Sequence, residues 1–349
     1  MKEALVSKGP LVQIVDSPVP EPNDDQLLIK VVVSGSNPKD WKLPEMQNLT
    51  ANAGDDIAGI VEKVGANVYE FKPGDRVAAF HEVKTEGGSY AEYGIAWQHT
   101  TFHIPKQTSF EEAAAIPLAA MTAVVGLYQH LALPQPWSLP LPETQTRETP
   151  LVIYGASSSV GFYALQLALR SNIHPIICVA GRASEYVRGF IDKSKGDTVI
   201  DYREGPEVVV DSIKKALEGK PAIGHVFDAF SESNSAAVIG QVFEQAGDGK
   251  TAKFTFTSWG NKPEIPQWVQ QNMVFVGSVH MAPQAKDLAY VYFRYIARGL
   301  QEGWFRAQRT EVVPGGLNGI QKALENLKNG NASALKYVFR IEETGQLAN

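Results

Sequence analysis

The chain has 349 residues, which is long for a single hydrophobic core and predicts two domains. A hydrophobic content of 44% with 20% charged residues is typical of a soluble globular protein, and the net charge of −6 argues against nucleic acid or an anionic membrane as a partner. The one cysteine, Cys178, excludes an internal disulfide and a multi-cysteine zinc site. No apolar run approaches the length of about 18 residues that a membrane span needs, and no signal peptide precedes the first strand-like segment, so we expect a cytoplasmic protein.

Residues 1–120 have the pattern of a β domain. Short strands are predicted at Leu27–Val33, Asp56–Val64 and Arg76–Phe80, with turn residues between them. Many short strands separated by tight turns predict a barrel-like domain. Apolar residues at helical spacing then predict a helix over Phe110–Leu131, with Ser109 as its N-cap.

The second half alternates strands with helices. It follows a proline-rich segment, residues 132–150, which we interpret as a surface loop or linker; a docking segment for a partner is the alternative. Strand-and-helix alternation predicts a parallel sheet with right-handed crossovers. Two of its elements are a helix over Ser184–Lys195 and a late strand over residues 273–279.

The stretch Thr149–Gly161, TPLVIYGASSSVG, is the centre of this pattern. A buried strand ends in a turn of small residues and a helix begins, which is the first unit of a dinucleotide-binding fold. Such a turn brings a pyrophosphate close to backbone N–H groups at the positive end of a helix. The glycine fingerprint is incomplete, because Ala156 and Ser158 stand where its first two glycines belong and only Gly161 remains. A plain strand-to-helix turn of another α/β protein is the alternative.

The end of the next strand predicts which dinucleotide binds. An acidic residue there suits the ribose of NAD, whereas a basic residue suits the 2′-phosphate of NADP. After Gly181 the chain has Arg182 and Ser184, and the first carboxylate is Glu185. A guanidinium and a hydroxyl suit a phosphate monoester, so NADPH is favoured over NADH. Alternatively, Arg182 only solvates the start of a helix.

Five motifs give the chain a resemblance to the medium-chain dehydrogenases/reductases over nearly its whole length. They are VSGSNPKDW (33–41), GDDIAGIVEKVG (54–65), FKPGDRV (71–77), GGSYAEY (87–93) and AAAIPLAAMTA (113–123). The chain resembles the quinone oxidoreductase and enoyl reductase branch, and most of all the fungal trans-acting enoyl reductases that serve polyketide synthases. The resemblance implies an α/β protein with a GroES-like β-barrel domain at residues 1–122 and 285–349. It also implies a doubly wound Rossmann domain at residues 123–284, with NADPH in the cleft between the two.

The resemblance also implies that no metal takes part. Zinc-dependent relatives have a cysteine near the position of Asn37 and a His-Glu pair where this chain has Asp55 and Asp56. Without zinc to hold an alkoxide, reduction of an activated C=C bond fits best: hydride passes to the β-carbon of an α,β-unsaturated carbonyl, and the enolate is protonated. One preorganised donor to the enolate oxygen contributes about 3 kcal/mol.

The site residues follow from these patterns and from the resemblance. Lys42 is the predicted catalytic residue, as a donor that positions substrate or cofactor; an ordinary surface lysine is the alternative. Tyr90 and Tyr93 are possible proton donors, although aromatic residues of a β domain usually belong to its core. The predicted cofactor contacts are Asn37, Lys42, Thr122, Ser158, Ser159, Val160, Gly161, Gly181, Arg182, Ser184, Tyr202, Ser278 and Lys336. The predicted substrate wall is Trp41, Met121 and Val125, all of which could equally be core.

The function predicted from the sequence is therefore NADPH-dependent reduction of an enoyl thioester or carbonyl, in trans to a polyketide synthase. A quinone or small-enal reductase and a non-catalytic NADPH-binding protein are the alternatives. The substrate is a small or carrier-bound molecule, and the protein is a monomer or a homodimer.

Overall fold

The computed structural model describes residues 1–138, 147–232, 234–257 and 265–345. The chain forms two compact units. Unit 1 consists of Met1–Met121 and Gly277–Asn349, and unit 2 of Thr122–Val276. The first boundary lies one residue before the predicted domain boundary, and the second lies eight residues before it.

Unit 1 is built on an extended sheet and a separate hairpin. Its strands are β1 (Lys2–Ser7), β2 (Leu11–Asp16), β3 (Gln26–Gly35), β4 (Asp56–Val64), β5 (Arg76–Phe80), β6 (Tyr93–Trp97), β7 (Thr101–His103), and, from the C-terminal part of the chain, β14 (Thr310–Val312) and β15 (Lys336–Arg340). The order in the sheet is β14-β15-β3-β4-β5-β7, with β6 also paired to β3, while β1 and β2 form the hairpin. The predicted strands at Asp56–Val64 and Arg76–Phe80 are confirmed residue for residue. Alternate residues such as Ile29, Ile57 and Phe339 fill the core of this unit.

The helices of unit 1 are α1 (Lys39–Gln47), α2 (Phe110–Ala114), the first part of α3 (Pro117–Val124), α8 (Pro283–Glu302) and α9 (Ile320–Lys328). The Ser109 cap is confirmed, since its hydroxyl accepts from the Glu112 backbone N–H at 3.1 Å and the Glu112 carboxylate accepts in return at 2.8 Å. The single helix predicted over Phe110–Leu131 is wrong. It breaks before Pro117, which has no N–H to continue the ladder, and Val125–His130 adopts π-helical geometry. Among the described residues, no helix has both the length and the apolar character needed to cross a membrane.

Unit 2 is a doubly wound parallel sheet. Its strands are β8 (Arg147–Tyr154), β9 (Ile173–Ala180), β10 (Thr198–Asp201), β11 (His225–Asp228), β12 (Ala252–Phe256) and β13 (Val269–Met273). They are all parallel and lie in the order β10-β9-β8-β11-β12-β13. The helices are α4 (Ser159–Arg170), α5 (Ser184–Arg188), α6 (Pro206–Ala216) and α7 (Ser235–Ala246). The predicted parallel sheet is confirmed.

Three local predictions for unit 2 need correction. The helix expected over Ser184–Lys195 ends at Arg188, and only a short 3₁₀ turn follows at Lys193–Lys195. The late strand lies at Val269–Met273, because pairing with β12 sets its register; the apolar run after it folds into a 3₁₀ turn. Residues 147–150 of the predicted loop already belong to β8, and residues 139–146 lie outside the described residues.

Candidate active site

The carboxyl ends of β8 and β11 meet at the point where the strand order of unit 2 reverses. The chain passes from β8 to β9 on one side, while β11 lies on the other side of β8. In open parallel sheets this reversal leaves a crevice that binds ligands. Gly155, directly after β8, has a φ of +78°, and a Cβ there would lie 2.7 Å from the Phe230 Cβ. A Cβ on Gly161 would lie 2.3 Å from the Gly155 carbonyl oxygen, so the turn closes only because both residues are glycine.

This turn opens the twelve-residue helix α4. The hydroxyl of Ser158 caps the helix, accepting from the Gly161 N–H at 3.1 Å. The N–H groups at Ser159 and Val160 are in the first turn, where a helix supplies no acceptor of its own and its dipole favours an anion. Gly155 is a position in this turn that the sequence analysis missed. The signal was available, since a glycine directly after a buried strand marks a tight turn.

The predicted 2′-phosphate residues lie together beyond β9. A Cβ on Gly181 would lie 2.4 Å from the ring of Tyr202, so this ring packs directly on the glycine, and Tyr202 is 44% exposed. Ser184 is buried and its hydroxyl donates to the Gly181 carbonyl at 2.7 Å, which uses its one proton. Arg182 is exposed. The structure thus brings these residues together, and their contact with a phosphate stays a prediction.

A second arginine, which the sequence analysis did not single out, follows Tyr202. Arg203 Nε donates to both oxygens of the Asp201 carboxylate, at 2.9 and 3.1 Å. These hydrogen bonds lower the pKa of Asp201 to about 2. The carboxylate that precedes Tyr202 in the chain therefore already has a cationic partner, which lessens its repulsion of a phosphate.

Phe230 is the other missed residue at the strand ends. It is 41% exposed in the loop after β11, where most large apolar side chains would be buried. The buried Asp228 carboxylate fixes this loop by accepting from the backbone N–H groups of Phe230 (3.1 Å) and Ser231 (2.7 Å) and from the Ser235 hydroxyl (2.6 Å). An exposed aromatic ring held beside Gly155 offers a flat apolar surface to a ligand in the crevice.

In unit 1, Asn37 and Lys336 lie against Asp56. The Asn37 amide donates to Asp56 Oδ2 at 2.8 Å and accepts from Lys336 Nζ at 3.1 Å, and Lys336 also forms an ion pair with Asp56. The other carboxylate oxygen accepts from the Leu118 N–H, in the first turn of α3, at 2.7 Å. All three polar side chains are buried. Both ends of the Asn37 amide are thus engaged inside unit 1, and the cofactor contacts predicted for Asn37 and Lys336 stay predictions.

A second buried network adjoins the first. Lys39 Nζ lies 2.7 Å from Asp55 Oδ2 and 3.0 Å from Asp40 Oδ1, and it donates to the Ala53 carbonyl at 2.6 Å. Burial raises the pKa of Asp55 to about 7, although Lys39 opposes the shift. Burial likewise raises the pKa of Asp40. A carboxylate buried to this degree needs the paired ammonium group to stay charged.

Tyr90 belongs to this network and to the core. Its side chain is fully buried, and its hydroxyl donates to Asp40 Oδ2 at 2.6 Å. Burial, followed by the charge of Asp40, raises the pKa of the phenol. The interpretation of Tyr90 as a core residue is confirmed, and a role as proton donor is not supported. Tyr93 is half-buried at the start of β6.

These two networks decide whether the residues fit a zinc ion. A zinc ligand must direct a lone pair at the metal. At the positions where the resemblance places the His-Glu pair of zinc-dependent relatives, Asp55 is paired with Lys39, and Asp56 with Lys336 and the Asn37 amide. Over the described ranges, no group of three or more His, Cys, Asp or Glu side chains is arranged to hold a metal ion. Asp55, Asp56 and Asn37, as the described structure pairs them, do not fit a zinc ion.

The remaining predicted residues differ in exposure. Lys42, in the first turn of α1, is half-buried, with its Nζ 5.7 Å from the centre of the Trp41 ring. Trp41 is partly buried against the core of unit 1. Met121 and Val125 are fully buried, which fits the alternative that they are core; their place in a substrate wall stays a prediction. Two predicted cofactor contacts, the buried Thr122 on α3 and the half-buried Ser278 in the 3₁₀ turn Val276–His280, also stay predictions.

Comparison with known proteins supports the fold described for both units. The sequence profile of the alcohol dehydrogenase GroES-like domain matches residues 23–106. The chain is 49% identical over 321 residues to the trans-enoyl reductase fsr4 of Gibberella fujikuroi, which covers 91% of this chain and 92% of the relative. CurK enoyl reductase superimposes with a TM-score of 0.75 at 18% identity over 97% of this chain and 98% of that chain. Mycobacterial Rv1454c, whose structure is a complex with NADPH, superimposes with a TM-score of 0.72 at 18% identity over 97% and 99%.

A GroES-like β domain in one chain with a doubly wound parallel sheet defines the architecture of the medium-chain dehydrogenases/reductases. The structural neighbours support the fold alone, whereas the sequence relative spans nearly the whole chain at high identity. The chain therefore belongs to the trans-enoyl reductase family within this superfamily of oxidoreductases.

Proposed function

We propose that this protein reduces the activated C=C bond of an α,β-unsaturated thioester or carbonyl with NADPH, in trans to a polyketide synthase. The 49% identity to a trans-enoyl reductase over most of both chains supports the reaction class. The NADPH complex of Rv1454c, a structural neighbour, supports the choice of cofactor. We place the protein in the cytoplasm, as a monomer or a homodimer.

The observation that carries the proposal is the pairing of Asp55 with Lys39 and of Asp56 with Lys336. Oxidation of an alcohol in zinc-dependent relatives needs a cation that binds the alkoxide. Here both carboxylates at those positions hold ammonium groups inside the protein, so they are not free to ligate a metal. Reduction of a conjugated C=C bond needs only a hydride, a donor to the carbonyl oxygen and a proton.

The residues of unit 2 fit a dinucleotide. The turn is closed so tightly between Gly155 and Gly161 that a Cβ on either residue would clash with protein atoms, and the N–H groups of Ser159 and Val160 that follow it would bind a pyrophosphate. Tyr202 on Gly181 would lie beside the adenosine, and Arg182 would bind the 2′-phosphate. Phe230 would form an apolar wall at the strand ends. When bound, NADPH supplies the hydride.

Lys42 is the proposed donor to the carbonyl oxygen of the substrate. An ammonium group aimed at an oxygen that gains negative charge stabilises the transition state more than the ground state. Removing one such donor typically lowers kcat by about a hundredfold to a thousandfold. The proton that completes the reaction would come from water, since Tyr90 is committed to Asp40.

The test is oxidation of NADPH in the presence of enoyl thioesters, enones, small enals and quinones. We expect turnover of the enoyl thioesters and a loss of at least about a hundredfold in kcat for Lys42→Met. Lys63→Met is the matched control, because Lys63 is an exposed lysine of unit 1 that pairs only at the surface with Glu21. Turnover of quinones or small enals alone would favour the second enzyme hypothesis. NADPH binding without turnover of any compound would favour a non-catalytic protein.

A further inference from the structure

One carboxylate oxygen in the buried networks of unit 1 has no hydrogen-bond donor. The Asp55 carboxylate meets Lys39 through Oδ2, at 2.7 Å, and this oxygen is fully enclosed by protein. Oδ1 accepts a hydrogen bond from no described residue, and it is less enclosed than Oδ2. Because Asp55 as a whole is 1% exposed, its carboxylate lies almost out of water with one oxygen open to a ligand.

The neighbouring acidic groups are all engaged by the protein itself. Asp40 Oδ2 accepts from the Tyr90 hydroxyl at 2.6 Å and from a backbone N–H at 2.7 Å, and its Oδ1 lies 3.0 Å from Lys39 Nζ. The phenolic proton of Tyr90 is used in that contact. Both oxygens of Asp56 accept from donors of unit 1. Within the described part of these networks, Asp55 is therefore the acid that can still meet a substrate.

Helix α1 places Asp55 beside the proposed donor, Lys42. Lys39 is the first residue of this helix and Lys42 lies three residues later, so their side chains leave the same face, with Cβ atoms about 5–6 Å apart. The Lys39 ammonium group holds Asp55 on that face. In an enoyl thioester the carbonyl oxygen and the α-carbon are both bonded to the carbonyl carbon, so a donor to the oxygen and an acid for the α-carbon must lie close together. Lys42 and Asp55 fit this requirement.

The surroundings of Asp55 let it hold a proton near neutral pH. Burial has the largest effect and raises its pKa to about 7, although the charge of Lys39 lowers it. The titratable groups that face it are Lys39, Asp40, Asp56, Tyr90 and His81. Burial lowers the pKa of the His81 ring and raises that of the Tyr90 phenol, so both are neutral at pH 7. An acid with a pKa near the working pH can both release a proton and regain it.

We propose that Asp55 is the acid that protonates the α-carbon of the substrate, through Oδ1, while Lys42 donates to the carbonyl oxygen. This rests on the proposed function and adds the residue that delivers the proton. After hydride adds to the β-carbon, the O–H bond of Asp55 breaks, a C–H bond forms at the α-carbon of the enolate and the carbonyl group is restored. The carboxylate that remains is paired with Lys39, and water returns its proton before the next turnover.

The first test is the pH profile of kcat with an enoyl thioester, from about pH 5 to pH 9. Because the reaction needs the protonated form of Asp55, kcat of the unaltered protein should fall as pH rises through about 7. Asp55→Asn keeps the shape of the side chain without an acidic proton, so it should lower kcat about a hundredfold and remove this fall. Asp24→Asn, at an exposed carboxylate of unit 1, is the matched control and should follow the unaltered protein. A profile of Asp55→Asn that coincides with that of the unaltered protein would overturn the proposal.

The second test determines which face of the α-carbon receives the proton. The substrate is an enoyl thioester with an α-methyl group, whose reduced product has a stereocentre at the α-carbon. A fixed acid protonates one face, so we expect one configuration from the unaltered protein and a mixture from Asp55→Asn, where water protonates the enolate. Deuterium from labelled NADPH should still reach one face of the β-carbon in both proteins, which a disordered site would not achieve. A mixture from the unaltered protein, or a single α configuration from Asp55→Asn, contradicts the role of Asp55.

A third measurement needs no turnover. Infrared spectra of the free protein should contain a protonated carboxyl band that disappears as pH rises through about 7 and that is missing from Asp55→Asn. If Asp55→Asn does not fold, the pH at which this band disappears in the unaltered protein must match the pH at which kcat/KM falls, since kcat/KM reports the free enzyme. A mismatch overturns the proposal.

The two proposals fail differently. If the unaltered protein turns over no enoyl thioester, the proposed function fails, and the role of Asp55 fails with it. If the unaltered protein turns the thioester over and Asp55→Asn matches it in pH profile and in α configuration, only the role of Asp55 is overturned.

Discussion

Lys336 and Asp56 form a buried ion pair that joins residues 280 positions apart in the sequence. The same carboxylate accepts from the Asn37 amide and from the backbone of Leu118, so one side chain ties the last strand to the start of α1 and the start of α3. Every oxygen of Asp56 has a donor, which is the condition under which a buried charge is tolerated.

Lys336→Met should therefore destabilise the protein strongly. It leaves Asp56 buried without its ammonium partner, and breaking a buried pair from one side costs about 3–5 kcal/mol. Urea unfolding measures the loss. The control is the double variant Lys336→Met/Asp56→Asn, which removes both charges and should recover part of the stability. If Lys336→Met were as stable as the double variant, or more stable, this account would be contradicted.

Asp55→Asn should change how stability depends on pH. Burial raises the pKa of Asp55 from 3.8 to about 7, so between these values the folded state binds a proton that the unfolded state releases. The contribution of Asp55 to stability is therefore fully present below its unfolded pKa and is lost as pH rises through 7. Asparagine resembles the protonated form and does not titrate.

The measurement is the free energy of unfolding of both proteins from about pH 5 to pH 8. We expect the free energy of unfolding of Asp55→Asn, relative to that of the unaltered protein, to rise by an amount on the order of 2 kcal/mol over this range. Lys39 does not titrate there, because the charges of Asp40 and Asp55 outweigh its burial and raise its pKa. A constant difference between the two proteins would show that Asp55 is ionised throughout.

Tyr90→Phe separates a core role from a catalytic one. The variant keeps the ring but removes the hydroxyl that donates to Asp40 at 2.6 Å, so we expect a loss of about 1–3 kcal/mol in unfolding free energy. With the chosen enoyl thioester, kcat and its pH profile should stay unchanged. A large fall in kcat with unaltered stability would contradict the core role and would support Tyr90 as a proton donor.

Gly161→Ala should open the turn at the start of α4. The new Cβ would lie 2.3 Å from the Gly155 carbonyl oxygen, a backbone atom that cannot move alone. We expect a stability loss of about 1–3 kcal/mol and at least about tenfold weaker NADPH binding by fluorescence titration. Gly224→Ala is the control within unit 2, since nothing lies within 4 Å of its Cβ position. Equal NADPH affinity of the two variants would argue against the turn as the phosphate site.

Arg182→Ala should weaken NADPH much more than NADH. A guanidinium on the 2′-phosphate contributes charge-assisted hydrogen bonds of about 1.5–3 kcal/mol, or roughly tenfold to a hundredfold in Kd. The readout is the ratio of the two dissociation constants. Arg170→Ala, an exposed arginine at the opposite end of α4, should leave the ratio unchanged. An equal loss for both dinucleotides would reject the role of Arg182.

Much of the fold could be predicted because its signals are local. The strands Asp56–Val64 and Arg76–Phe80 follow from alternating apolar residues between turns, and the turn before α4 follows from small residues after a buried strand. Boundaries that depend on pairing or on a single proline were missed, as at Val269–Met273 and before Pro117. Gly155 was missed because the glycine fingerprint was counted back from Gly161, which puts Ala156 in the place of its first glycine.

The sequence by itself determined the two-unit organisation, the parallel sheet and the small-residue turn before α4, because periodicity and turn chemistry act over a few neighbouring residues. Only the tertiary structure decided which cation neutralises each buried carboxylate. Lys336 reaches Asp56 from the far end of the chain, and Tyr90 reaches Asp40 from 50 residues away. Burial makes such partners obligatory, but the identity of each partner depends on how the strands are arranged, and no local pattern encodes that arrangement.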